Sequence, residues 1–418
     1  MQWTTKTNDK LKETLIHGVH KSGLKIYLMP KSFNKTYAII STKYGAVDLT
    51  FATKNAAEKT VPHGIAHFLE HKLFEQPGGG NAFDLFATTG ASANAFTSFC
   101  NTAYLFSATS KVSDNLRILL DFVFTPYFTD ENINKEQGII AQEIKMYDDN
   151  PNWRVFFNLL ECLYVNHPIK IDIAGTVESI AKIDKDLLYH CYNTFYNPYN
   201  MTLFIAGNIS TSEIEKLVDE LVPMPEDNSL VRAKIDEPDE IAEIKKVQHL
   251  SVATPLFLIG FKDNNFEDDI LKKEIITDIL MELIFGKGSK LYEDLYSAGL
   301  INETFACDFD SEQSYAFASV GGESPNPDEV LNQINNYLPS ANIASADFER
   351  VRNMLIGDYL RKYNDVEDIG HEFIAALNRD EDYFSYLDVI DSITIDDINR
   401  RMIELFKSPA MSVILPKE

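Results

Sequence analysis

Short apolar runs and alternating stretches outline the chain before any chemistry is considered. GLKIYLMP (23–30) and KTYAIISTKYG (35–45) read as strands, each bounded by Gly, Pro or Asn. From about Pro62 to Phe74 apolar positions recur every three or four residues, which predicts a helix. FDLFATTG then gives way to strand-like SANAFTS and TAYLFSAT. A helix-rich block runs from about Lys111 to Glu161, and another helix from Lys185 to Tyr196. MTLFIAGN (201–208) reads as a buried strand, followed by the helix STSEIEKLVDELV.

Much of this pattern occurs twice. Leu187, Phe195 and Pro198, followed by apolar MTLFIA, are spaced like Ile398, Phe406 and Pro409, followed by MSVIL. LFATTGASANAF and TAYLFSAT are echoed by LYSAGLINETF and SYAFASVGG. Two echoes in the same order at nearly one offset point to a duplicated domain. The seam lies in VPMPEDNSLVRAKIDEPDEI (222–241), rich in proline and charge. We therefore expect an N-terminal domain over 1–225, a linker over 226–245 and a C-terminal domain over 246–418. Strands and helices do not alternate strictly, and hairpin-like strand pairs recur. The expected fold class is α+β: two homologous domains, each a mainly antiparallel sheet with helices packed on one face.

Composition narrows the function classes. The 418 residues are 45% hydrophobic and 24% charged, ordinary for a folded protein too long for one core. The formal charge of −25 repels phosphate backbones, so nucleic acid is not an expected partner. The polar N-terminus lacks the apolar stretch of a signal peptide, and no run is long enough to span a bilayer. Four dispersed cysteines without a CxxC pair fit reduced thiols. The expectation is a cytoplasmic protein that does not engage membranes.

Candidate chemistry centres on HFLEH (67–71). Residues four apart on a helix lie one above the other, so His67 and His71 can aim imidazole nitrogens at one ion. Glu70 sits beside the second histidine, where its carboxylate can take a proton from water and return it to a leaving amine. HxxEH is a zinc motif, the reverse of the more familiar HExxH. His63 shares the same face but stands at the helix start between Pro62 and Gly64, and we read it as a bystander. A catalytic zinc takes a third protein ligand and keeps one position open. Glu75 is on the wrong turn for that. Glu136 and Glu143, seven apart on a second helix, face the same way, and their spacing does not say which one binds.

These residues resemble the M16 peptidase family of insulysin, pitrilysin and the mitochondrial processing peptidases. The resemblance covers nearly the whole first half: HGIAHFLEHKLFE, GASANAFTSFCNTAYLF, EQGIIAQEIKMYDDNP and HPIKIDIAGTVESI occur in the family's order. The wording looks most like YmfH-type bacterial members, single chains with two such domains. The resemblance implies one zinc ion per chain on His67, His71 and Glu143, with Glu70 as general base. It places Glu136 where a carboxylate orients a ligand histidine, and Asn94, Ala95 and Phe96 on a strand that pairs edgewise with an extended peptide. It also implies that the second domain carries no metal site.

One departure bears on partners. Self-sufficient members carry an arginine and, seven residues later, a tyrosine around a Gly-Leu step of the second domain. Around Gly299-Leu300 this chain has Leu295 and Tyr296 at the arginine's place and Asn302 at the tyrosine's. The expected function is a zinc endopeptidase that cuts short or unfolded peptides in a closed chamber. A second M16-like subunit would supply the missing pair in a heterodimer, with a homodimer as the other arrangement. The alternative is a non-catalytic scaffold or peptide-carrier subunit of a peptide-processing or modification complex.

Overall fold

A computed structural model describes residues 1–77, 79–225, 229–265 and 269–417; the first three residues of the expected linker, 226–228, lie outside them. Two compact units emerge, and the chain passes between them after residues 144, 171, 234, 359 and 383 rather than at a single linker.

The first unit comprises residues 1–144, 172–234 and 360–383. Its strands are β1 (Trp3–Asn8), β2 (Glu13–Val19), β3 (Lys25–Pro30), β4 (Thr36–Thr42), β5 (Thr50–Thr53), β6 (Ala56–Thr60), β7 (Ser92–Thr97), β8 (Thr102–Ala108), β9 (Met201–Gly207) and β10 (Leu230–Arg232). Seven form one sheet in the order β1-β2-β3-β9-β4-β8-β7, in which only the β3–β9 pair is parallel. Strands β10, β5 and β6 form a smaller sheet. The apolar run of β4 is buried from end to end, as expected for a central strand covered on both faces.

Side-chain alternation shows what covers each face. Ile40 pairs with both Tyr104 and Leu203, so those three share a face, and Phe204 points to the other. Tyr104 packs on Phe74 and Phe122, from the helical segments around Ile65–Leu73 and Val112–Phe124. Phe204 stacks on Phe373, at 4.3 Å between ring centroids, from helix Val366–Asn378. The expected helical layer is present on one face, and a helix from late in the chain lies on the other.

The second unit comprises residues 145–171, 235–359 and 384–418. Its strands β11 (Lys245–Leu250), β12 (Leu256–Asp263), β13 (Ala306–Ser311), β14 (Ala316–Glu323) and β15 (Ala410–Pro416) are ordered β11-β15-β12-β14-β13. Only β11–β15 is parallel. Phe257, Ile259 and Phe261 form a core with Ile279, Leu280, Ile398 and Leu405, residues of helices Ile270–Phe285 and Ile395–Leu405. Helix Pro151–Leu163 packs closely at Gly260, where a Cβ would come within 2.9 Å of Leu159 and Leu163.

The duplicated pattern has a topological counterpart. Strands β3-β9-β4-β8-β7 and β11-β15-β12-β14-β13 have the same order, the same single parallel pair and the same antiparallel remainder. The matched sequences are equivalent elements: helix Lys185–Phe195 before β9 corresponds to helix Ile395–Leu405 before β15. Each sheet also receives one helix from the other half of the sequence. No helix among the described residues is long and apolar enough to cross a membrane, and none of the four cysteines forms a disulfide.

Candidate metal centre

The helix Ile65–Leu73, here the histidine helix, starts without a side-chain cap. Gly64 makes the turn into it at φ 83°, and a Cβ there would meet the Ala174 carbonyl oxygen at 2.3 Å. Ile65, Phe68, Leu69 and Leu73 anchor the helix in the core. That leaves His67 and Glu70 only 8% exposed and His71 partly open. The second helix, Asp130–Asp148, here the acidic helix, buries Ile133, Glu136, Ile140 and Ile144 along one stripe. Glu136 thus enters a surface otherwise apolar, and Glu143 follows two turns later.

Both histidines present Nε2 to one carboxylate. His67 Nε2 lies 3.8 Å from Glu143 Oε1, and His71 Nε2 lies 3.5 Å from Glu143 Oε2. His67, His71 and Glu143 each offer a donor atom, all within 4.8 Å of one another. Bonds of about 2.0–2.2 Å at tetrahedral angles separate donor atoms by about 3.3–3.6 Å. The 3.5 Å separation falls in that range and the 3.8 Å one lies just beyond it, close enough for one small divalent cation to draw the donors in, and two imidazoles with a carboxylate are a donor set zinc accepts. His63 stands outside this group, and Glu75 turns to Lys72 Nζ, 2.8 Å away.

The surrounding contacts orient the donors. Glu136 Oε1 is 3.1 Å from His71 Nδ1, which leaves Nε2 to face Glu143. Thr97, at the end of β7, donates its hydroxyl to Glu70 Oε2 at 2.8 Å. Burial, reinforced by the neighbouring His71, holds His67 down to about 4, so it is a neutral donor near pH 7. Burial acts to lower His71 too, but the Glu136 bond and the nearby Glu70 and Glu143 charges outweigh it and raise it. For Glu136 burial pulls upward, and His71 and Lys72 bring it below the usual carboxylate range. Burial raises Glu70, although Thr97 and His71 pull the other way.

Among the described residues strand β7 ends its sheet and pairs only with β8, which makes it an edge strand. Asn94 and Ala95 line a cavity of about 350 Å³ that also touches Glu70, His71, Phe74 and Phe83. Phe96 packs instead on His371, at 5.5 Å between ring centroids. Sequence reasoning missed Thr97, Lys72 and the Phe74–Phe83 stack that walls the cavity. Only Lys72 gave a signal: a lysine at helical spacing from Phe68 and Leu69, on the apolar side.

A family profile described as "Insulinase (Peptidase family M16)" matches residues 40–177, and one described as "Peptidase M16 inactive domain" matches 182–355. A Bacillus subtilis (strain 168) protein named "Uncharacterized zinc protease YmfH" is 43% identical over 98% of both chains.

The chain belongs to peptidase family M16.

Among solved structures, this M16 chain superposes on an M16-like peptidase from Alicyclobacillus acidocaldarius with a TM-score of 0.92, at 33% identity over 100% and 99% of the two chains. A protease from Helicobacter pylori shares the fold, with a TM-score of 0.81 at 18% identity over 96% and 99%. The two-domain α+β architecture is therefore that of M16 proteins, and a relative nearly half identical is named a zinc protease.

Proposed function

We propose that this M16 chain is a zinc-dependent endopeptidase acting on short or unfolded peptides. The observation that carries the reading is the convergence of His67 Nε2, His71 Nε2 and the Glu143 carboxylate beside a buried Glu70. These three would hold one zinc ion. Bound there, the ion would supply Lewis-acid chemistry, acidifying water and polarising a peptide carbonyl.

The chain's own residues supply the remainder. Glu70 accepts the proton of the attacking water and delivers it to the departing amine nitrogen, which would otherwise leave as an unstable anion. Thr97 holds one oxygen of the carboxylate, leaving the other for that transfer. The edge of β7 would pair with an extended peptide once the Asn94 side chain releases the Ala95 N–H it now accepts from, with Asn94 and Ala95 lining the cavity that Glu70 borders and Phe96 between them and Thr97. Backbone pairing holds a peptide whatever its sequence.

The oxyanion partners come from a second M16-like subunit. Leu295 is 1% exposed and belongs to the core of the second unit. Asn302 is tied to Glu323 and Thr304, and exposed Tyr296 stacks on Tyr292. Leu295 and Tyr296 stand where self-sufficient members place the arginine and Asn302 where they place the tyrosine, and none of the three carries the arginine's or the tyrosine's donor group to an oxyanion: Leu295 is core, Tyr296 stacks on Tyr292 and Asn302 is bonded locally. The working form would be a heterodimer enclosing a chamber, set in the cytoplasm. A scaffold role is favoured only by the match of 182–355 to an inactive-domain profile. The Glu70→Gln variant separates the readings: retained zinc with lost peptide hydrolysis supports the peptidase, and unchanged hydrolysis overturns it.

A further inference from the structure

Next to His71 the histidine helix carries an ammonium group with no solvent exposure. Lys72 is 0% exposed, and its Nζ has three partners: Glu75 Oε2 at 2.8 Å, the Asn132 carbonyl at 3.2 Å and Glu136 Oε2 at 3.3 Å. An ammonium has three N–H donors, and here all three are used. Two of the acceptors lie on the acidic helix, which also carries Glu143. Glu136 is shared in turn: Oε1 takes His71 Nδ1 and Oε2 takes Lys72.

We infer that Lys72 is a positioning residue for zinc: its ammonium clamps the histidine helix to the acidic helix and pins Glu136 in the plane that orients His71. The inference rests on the reading of His71 as a zinc ligand. A buried ion pair is a poor device for stability alone, since an apolar replacement of similar volume is often neutral or better for the fold. What such a pair supplies is direction. A carboxylate held by one oxygen still swings about that contact, whereas one held through both oxygens has a single orientation. The same clamp sets the distance between the histidine pair and Glu143, and therefore the size of ion the three donors accept.

The test measures zinc affinity by chelator competition on folded protein, together with the visible spectrum of the cobalt(II)-substituted chain. Lys72→Met is combined with Glu75→Gln, so that the half-buried Glu75 carboxylate does not lose its ammonium partner uncompensated. If that pair fails to fold, Lys72→Gln, which keeps a donor for the Asn132 carbonyl, provides the same reading. Zinc affinity should fall about 10–100-fold, as for loss of an orienting partner, and the cobalt spectrum should change. Adding Glu136→Gln should cause little further loss, because Lys72 acts through Glu136. Affinity within threefold of the parent, or losses that add in full, would overturn the inference. His67→Ala serves as the reference: if it binds zinc like the parent, the metal assignment itself fails.

Discussion

Thr97 donates its hydroxyl hydrogen to Glu70 Oε2 at 2.8 Å, joining the edge strand β7 to the carboxylate beside the two histidines. A hydrogen bond to a charged group is worth about 1.5–3 kcal/mol, which is about 10–100-fold in rate if it is needed in the transition state. Thr97→Ala should therefore lower kcat by that factor with zinc content unchanged. Glu70→Gln should cost about 10²–10⁴-fold. Steady-state kinetics with metal analysis on the same preparations checks both, and a Thr97→Ala enzyme with parental kcat would remove Thr97 from the mechanism.

The second subunit is predicted from side chains already committed elsewhere. Loss of one oxyanion donor typically costs about 10²–10³ in rate. The chain alone should hydrolyse a quenched peptide slower by at least that factor than the same chain mixed with an M16-like subunit carrying the arginine and tyrosine. Full activity of the purified chain by itself would contradict this.

The late helix that covers the first sheet gives a stability prediction. Phe373 is 1% exposed and packs on Phe204, Tyr27 and Tyr383. Phe373→Ala should destabilise the first unit by about 3–5 kcal/mol, read from urea unfolding of the full chain. A fragment ending in the 226–245 region should fare worse, since it lacks residues 360–383 altogether.

Much of this was legible because the signals were local. The histidine helix, the acidic helix and buried strands β4 and β9 follow from apolar periodicity. The duplication follows from spacing, and the same strand order in both sheets gives it a structural basis. The interleaving of the two units was not legible: helix Val366–Asn378 has an ordinary amphipathic pattern, and no pattern states which sheet its apolar face will cover. Thr97 was missed for a similar reason. A threonine in a strand suits the pleat whether or not its hydroxyl reaches a carboxylate. The choice between Glu136 and Glu143 needed the second helix's distance from the first, which two positions seven apart do not encode.

In the second unit Asp263 gives a pH prediction independent of the metal. Burial acts to raise its carboxyl, but Arg401 at 2.6 Å and Lys273 at 3.2 Å outweigh it and hold it below the ordinary range. A depressed folded-state value stabilises the fold above the unfolded value of about 3.9, and that stability is lost as pH falls through the folded value. Asp263→Asn should flatten the loss of stability below about pH 4. It should also cost about 3–5 kcal/mol near neutrality, because Arg401 and Lys273 remain buried without it. Urea midpoints at a series of pH values test this, and an unchanged acid limb would contradict it.

The central claim is that one divalent ion sits between two helices, and a zinc-edge anomalous difference map from crystals grown with zinc addresses it most directly. The account predicts a single strong peak per chain, about 2.0–2.2 Å from His67 Nε2, His71 Nε2 and a Glu143 oxygen. A map with no peak there, or with the ion held by other side chains while Glu143 points away, would contradict it.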